Sequence, residues 1–210
     1  MATTKIRDYI KYIGFGAGSD RVKIDESGQL KAEGGATQWD DLSGAITGLK
    51  LYDKKGAVQF DYDENSLIFE SGGDIEKNND CVFFNLQKLH KIKADSMLRM
   101  HLHYTKTDAV DRIFTLKYRI QENGGAKTTD WTTIQTVTDQ INDIFVYTGG
   151  TINQIVKFSD YIDWSTVGIS STVQFRLART DGEGGDVEVT FIDGHYEADS
   201  FMGSNDEYQK

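Results

Sequence analysis

The residues best placed to do chemistry are two histidines one residue apart. His101 and His103 lie in Leu98-Arg-Met-His101-Leu-His103-Tyr104, where apolar and polar side chains alternate. In an extended strand that spacing sends both imidazoles from one face, and two imidazoles so placed can chelate one metal ion. His90 lies upstream and His195 near the C-terminal end of the last strand signal. The same face carries Arg99 and Thr105, so the plainer expectation is a polar outer or inter-subunit face with the imidazoles in hydrogen bonds.

Cupins place an H-x-H pair on a similar barrel, but they add a Glu shortly after the pair and a second motif joining Gly to a later His. Here only Asp108 follows and the second motif is missing, which leaves a metal-dependent cupin-like enzyme as an alternative reading. Gly14-Phe-Gly-Ala-Gly-Ser19 looks like a phosphate loop, but such loops follow a strand and open a helix, and here the helix signal comes first. Carboxylate pairs such as Asp40 and Asp41, Asp61 and Asp63, Asp160 and Asp163, and Glu183 and Asp186 are too numerous to single out a glycosidase pair. The Asp181 to Asp186 stretch lacks EF-hand spacing, so a solvated hairpin loop is expected rather than a Ca²⁺ site. No Ser stands in a G-x-S-x-G context, and Cys81 before Val82-Phe83-Phe84 opens a buried strand. Lys88, His90, Lys91 and Lys93 are expected to pair with acidic neighbours. Trp39, Trp131, Trp164 and several tyrosines could stack on sugar rings, or serve as core anchors. No catalytic residue and no cofactor is assigned.

Composition narrows the classes. The chain has 210 residues, 33 Asp and Glu against 23 Lys and Arg, a net charge of −10, one Cys and no Pro. Nucleic-acid binding needs clustered cations, and so does docking on anionic lipid; neither partner is expected. A single cysteine forms no internal disulfide, which suits a reducing cytoplasm. No apolar run reaches the roughly 18 residues of a membrane span, and Met1 to Gly14 lacks the apolar stretch of a signal peptide. Without proline, the turns fall to Gly, Asn, Asp and Ser.

Two kinds of element must position these groups. Thr3 and Thr4 can cap a short helix in which Ile6, Tyr9, Ile10 and Ile13 share one face. A small hairpin follows, with Val22 and Ile24 on one strand and Leu30 and Ala32 on the next. Residues 1–48 therefore read as an arm or stalk whose apolar stripe needs a partner. From Leu49, period-two alternation recurs at Val58 to Tyr62, Leu98 to Tyr104, Phe114 to Ile120, Val173 to Leu177 and Val187 to Phe191, with Gly-rich turns between. A short turn near Ser159 to Trp164 is the one helical signal there. The expectation is an all-β fold: a jelly-roll-like antiparallel β-sandwich head over residues 49–210, carried on the arm.

Three segments together resemble structural proteins of tailed-bacteriophage virions. Gly34-Gly-Ala-Thr-Gln-Trp39-Asp40-Asp41-Leu42 is similar to their G-D-A-T-x-W-D-D-L segment. Leu98-Arg-Met-His101-Leu-His103-Tyr104 resembles their H-x-H-W strand, with Tyr104 in place of Trp and Leu89-His90 where Pro-His is common. Asp193-Gly-His195-Tyr196-Glu-Ala-Asp199-Ser-Phe-Met-Gly203-Ser204 resembles their C-terminal ending. The resemblance spans about Asp20 to Lys210. It implies a non-enzymatic virion component of fibre, collar or decoration type, assembled as a homotrimer in the bacterial host cytoplasm. Its arm would contact other virion proteins such as capsid, portal, collar or tail. Anchoring and oligomerisation would then fall to Ile6, Tyr9, Ile10, Ile13, Val22, Ile24, Trp39 and Asp40. The alternative is a fibre-tip module whose loops recognise a host-surface glycan or receptor.

Overall fold

The computed structural model describes residues 12–13, 21–24, 30–33, 38–44, 50–51, 58–61, 63, 66–89, 92–93, 95–139, 149–158, 160–165, 167–168 and 170–198. In chain order the strands are β1 (Tyr12–Ile13), β2 (Arg21–Ile24), β3 (Leu30–Glu33), β4 (Gln38–Gly44), β5 (Lys50–Leu51), β6 (Val58–Asp61), β7 (Ser66–Phe69) and β8 (Val82–Gln87). They continue with β9 (Met97–Lys106), β10 (Ile113–Gln121), β11 (Thr132–Thr138), β12 (Ile152–Lys157), β13 (Ile162–Asp163), β14 (Thr172–Arg179) and β15 (Val187–Ala198). Among the described residues these strands form three antiparallel sheets, and no helix is long and apolar enough to cross a membrane.

A five-stranded sheet has the order β11-β10-β14-β8-β5. A seven-stranded sheet runs β12-β9-β15-β7-β6, with β13 paired to β9 and β4 to β15. Their inner faces make one apolar core, as expected of an all-β sandwich. Alternation decides which side chains enter it. Leu98, Met100, Leu102 and Tyr104 from β9, Phe114 and Leu116 from β10, and Val173, Phe175 and Leu177 from β14 are all buried. Tyr104 meets Phe114 across the two sheets at 5.3 Å between ring centroids, and Phe84 stacks on Phe175 at 4.7 Å. Each fully buried side chain of this kind contributes roughly 1.5–3 kcal/mol.

Buried ionic groups tie the ends of the sandwich together. The Asp139 carboxylate accepts hydrogen bonds from Lys106 Nζ at 2.7 Å, Tyr104 Oη at 3.0 Å and the Arg112 backbone N–H at 3.0 Å. Arg179 donates to Asp181 and to the carbonyls of Phe69, Gly185 and Glu183. Asp181 is therefore buried, although the loop it opens reads from sequence as solvated throughout; the guanidinium satisfies the carboxylate and draws it inside.

The arm is described in part. Val22 pairs with Ala32 and Ile24 with Leu30, which is the expected hairpin. Ile6, Tyr9 and Ile10 lie outside the described residues. Tyr12–Ile13, the end of the expected helix, form a strand paired with β2 instead, making a third sheet of three strands. Gln38–Gly44, inside the stretch read as arm, lies in the seven-stranded sheet against β15. The turn expected near Ser159 to Trp164 holds β13: Ile162 and Trp164 are both fully buried while Asp163 between them is exposed, a period of two rather than a helical one.

Candidate functional site

Two outer faces carry the polar chemistry, one on each sheet. The first is built on β9 and β15. With the even-numbered residues of β9 in the core, Arg99, His101, His103 and Thr105 emerge from the opposite face. A register shift between Val189 and Phe191 sets the phase of β15, so that Ile192 and Tyr196 enter the core and Phe191, Asp193 and His195 emerge outside. Pairing then places His101 opposite Asp193, His103 opposite Phe191 and Arg99 opposite His195.

The result is a compact cluster. His195 Nε2 and His103 Nε2 each lie 3.3 Å from an oxygen of Asp193, one on either side of the carboxylate. The His101 and His195 rings meet edge to face at 4.1 Å. His101, Asp193 and His195 each offer a donor atom within 4.8 Å of the others. His101 and Asp193 are buried, whereas His103 and His195 are about one-third exposed at 32% and 35%. Around them, the Arg99 guanidinium lies 4.1 Å over the Tyr161 ring, and Lys157 pairs with His101 from β12.

Sequence spacing singles out His101 and His103. Both are on the expected face, but the tight group replaces His103 with Asp193 and His195. The signal for the second half was present in Asp193-Gly-His195, which has the same one-residue spacing; only the strand pairing brings it to His101. Gly194, between them, faces the core. A Cβ there would stand 2.6 Å from Leu98 Cδ1 and 3.0 Å from Met100 Sδ, so a larger residue would have to displace these two core side chains.

The second face belongs to β8, β14 and β10. Phe83, Arg176 and Lys117 form one cross-strand row, and Asn85, Gln174 and Arg119 the next. Trp131, just ahead of β11, leans over this surface with its ring 6.2 Å from Phe83, and the Arg119 guanidinium lies 4.5 Å from the Trp131 ring. Arg119 Nε donates to Gln174 Oε1 at 2.8 Å, which fixes the guanidinium in place. Gln121 donates to the Thr128 carbonyl at 2.7 Å and accepts from the Thr128 N–H at 3.2 Å, pinning the loop that carries Trp131. Between that loop and β10 opens a cleft of about 310 Å³, lined by Tyr118, Arg119, Glu122, Thr128 and Asp130 among others.

The remaining residues singled out from sequence have structural placements. Asp40 accepts a hydrogen bond from Tyr196 Oη at 3.2 Å, while the Trp39 side chain lies outside the described residues. Val22 and Ile24 are half-buried in β2. Trp164 is fully buried in the core. Lys88 does not pair with a carboxylate as expected: its buried ammonium donates to the carbonyls of Trp164 at 2.7 Å and Val167 at 2.8 Å, and burial lowers its pKa. Lys93 does pair, with Glu197 at 2.7 Å. Burial pushes the Cys81 thiol up, against the opposing pull of the Arg176 Nε–H that donates to its Sγ at 3.3 Å. His90 and Lys91 lie outside the described residues.

No family model and no curated protein matches this sequence. Among solved structures, the chain is similar to CBM27-1, a carbohydrate-binding module of Caldicellulosiruptor saccharolyticus in complex with mannohexaose, at TM-score 0.36 and 10% identity, covering 74% of this chain and 96% of that one. It is also similar to the CBM22-1–GH10 modules of Clostridium thermocellum xylanase 10B complexed with xylohexaose, at TM-score 0.32 and 11% identity over 82% and 27% of the two chains. Dimeric latent PorU of Porphyromonas gingivalis matches at TM-score 0.36 and 13% identity; 78% of this chain is covered, but only 13% of PorU. All three scores are low, so function has to be sought in this chain's own side chains.

Proposed function

We propose that the sandwich is a non-catalytic binding module that takes a glycan across the outer face of its five-stranded sheet. The observation that carries this reading is the Trp131 ring, held between Phe83 and Arg119 on that face. A pyranose presents an apolar face of C–H groups and a rim of hydroxyls. The first stacks on an indole, and the second is met by planar groups that donate and accept in fixed directions. Asn85, Gln87, Gln174 and Arg119 supply such groups on the same surface. An acidic chain with amides and half-buried aromatics on one sheet face is suited to a neutral sugar rather than to a phosphate polymer.

The test is calorimetric titration of the purified chain with mannohexaose and xylohexaose, followed by a broader glycan array. Trp131→Ala should weaken any binding by about tenfold or more, equivalent to ~1.4 kcal/mol, without unfolding the protein. Binding that is unchanged in this variant would move the site elsewhere, and absence of binding across the array would remove the reading.

A second reading, that the chain is a structural component of a tailed-phage virion, is supported by where the resembling segments lie. Trp39-Asp40-Asp41-Leu42, His101-Leu-His103-Tyr104 and Asp193-Gly-His195-Tyr196 occupy β4, β9 and β15, three adjacent strands in the order β4-β15-β9. Three segments far apart in sequence thus form one continuous patch of sheet. On this reading the head is borne as a homotrimer, and the arm, with Ile6, Tyr9, Ile10 and Ile13, docks on other virion proteins. The two readings meet in a fibre head that binds host-surface glycan. The mass of the purified chain in solution tests the trimer: three chains per particle supports it, and a monomer removes it. Deleting residues 1–18 should abolish docking on the particle while leaving a folded head.

A further inference from the structure

We infer that His101, Asp193 and His195 form a binding site for a divalent transition-metal ion of the zinc class on the outer face of the seven-stranded sheet. Three of the chain's four histidines and one buried carboxylate converge there, from strands that are distant in sequence. Two imidazole nitrogens and one carboxylate oxygen are a donor set for Zn²⁺ or its neighbours rather than for Ca²⁺ or Mg²⁺, which take oxygen ligands.

The distances allow it. An ion bonded at about 2.0–2.2 Å holds its donors roughly 3–4 Å apart. Here Asp193 and His195 already stand 3.3 Å apart, and all three donors lie within 4.8 Å of one another, so modest side-chain rotations bring them onto one ion. The supports are in place as well. His103 Nε2 sits outside the three-donor group, 3.3 Å from the other carboxylate oxygen, within reach to bond that oxygen once an ion is held, as partners of metal-bound carboxylates do. The antiparallel ladder between β15 and β9 brings donors on both strands within reach of one ion.

The balance of charge also permits a cation. Among the described side chains one carboxylate, Asp193, faces the site; the nearby Arg99 guanidinium is turned over the Tyr161 ring, and Lys157 is exposed. With His101 and Asp193 buried and His195 half-exposed, the ion would be held from beneath and keep an outward position for water. It would link β9 to β15, the two longest strands among the described residues, and would add to stability in proportion to its binding.

The experiment uses the full chain without a histidine tag, stripped with chelator and dialysed. Titration with Zn²⁺ should show one equivalent bound and a rise in Tm, Co²⁺ should give visible ligand-field bands, and Ca²⁺ should do neither. H195Q, at a half-exposed position, should fold and lose affinity about a hundredfold or more. H101Q should match it where it folds, and H103Q should lose about tenfold. No stoichiometric ion, equal response to Ca²⁺, or undiminished Zn²⁺ affinity in H195Q would each overturn the assignment. Glycan titration of H195Q reads the other face separately, so failure of one reading leaves the other standing.

Discussion

The outer faces of the two sheets arise from the same alternation yet hold different chemistry. On the seven-stranded sheet, histidines and a carboxylate sit on the backs of two long strands, and the cluster is assembled by cross-strand pairing alone. On the five-stranded sheet the rows contain Phe83, Arg176, Asn85, Gln174 and Arg119, and the surface is completed by Trp131 from a loop that Gln121 pins to β10. The first face depends on register and the second on a loop held by two exposed hydrogen bonds. A register is rigid because slipping it by one residue turns every core side chain outward. A loop held by two exposed bonds is more adjustable than a register, which suits the extended ligand proposed for that face.

That contrast can be broken most severely from inside. Asp139 joins the two sheets, lying at the end of β11 and accepting from Tyr104 and Lys106 of β9. Asp139→Ala removes the carboxylate to which the buried Lys106 ammonium donates. It should cost about 3–5 kcal/mol, measured as the shift of the denaturant midpoint, and both faces should fail together. If instead the variant is as stable as the parent, the sheets are not coupled through this group.

A smaller change should separate the faces. Gly194→Ala forces a Cβ against Leu98 and Met100, both buried, and is expected to cost roughly 1–3 kcal/mol in thermal unfolding. Because the strain lies under His101 and His195, Zn²⁺ affinity should fall while the glycan binding proposed for the Trp131 surface is unchanged. Together with Trp131→Ala, which should do the reverse, this makes a double dissociation. Equal damage to both activities would show that the faces are one system.

The smallest expected effect is one of pH. Asp108 accepts from the Gly185 N–H at 3.0 Å, the Val110 N–H at 2.9 Å and Arg112 at 2.6 Å, and these bonds, that from Gly185 foremost, hold its carboxyl below the usual range. A depressed carboxylate pKa stabilises the fold above the ordinary carboxylate value. That contribution is lost as pH falls through the lowered one. Asp108→Asn should flatten the acid limb of a Tm-against-pH curve and leave the neutral region little changed. An unaltered acid limb would show that the loop bearing Asp108 and the one bearing Gly185 are joined by other contacts.

Much of this architecture can be read along the chain. Leu98 to Tyr104, Phe114 to Ile120 and Val173 to Leu177 alternate so regularly that their strands and inward residues follow directly, and Val22 with Leu30 marks the small hairpin. Less regular strands escape such reading. β4 and β13 are defined by the partners they join, and Ile162 and Trp164 give a strand only because both are swallowed by the core. Lys88 shows the same limit: nothing local distinguishes it from Lys93, yet one is buried under carbonyls and the other pairs with Glu197.

By itself, then, the sequence determined that His101 and His103 share a face with Leu102 turned the other way, and it holds in Asp193-Gly-His195 the same one-residue spacing for a second face. A period of two is a local property of extended backbone and needs no knowledge of neighbours. Only the tertiary structure decided that these two faces are the same face, that Asp193 stands opposite His101, and that Trp131 comes to rest over Arg119. Those are matters of register and loop closure between distant segments, settled by which pairing buries the whole core at once.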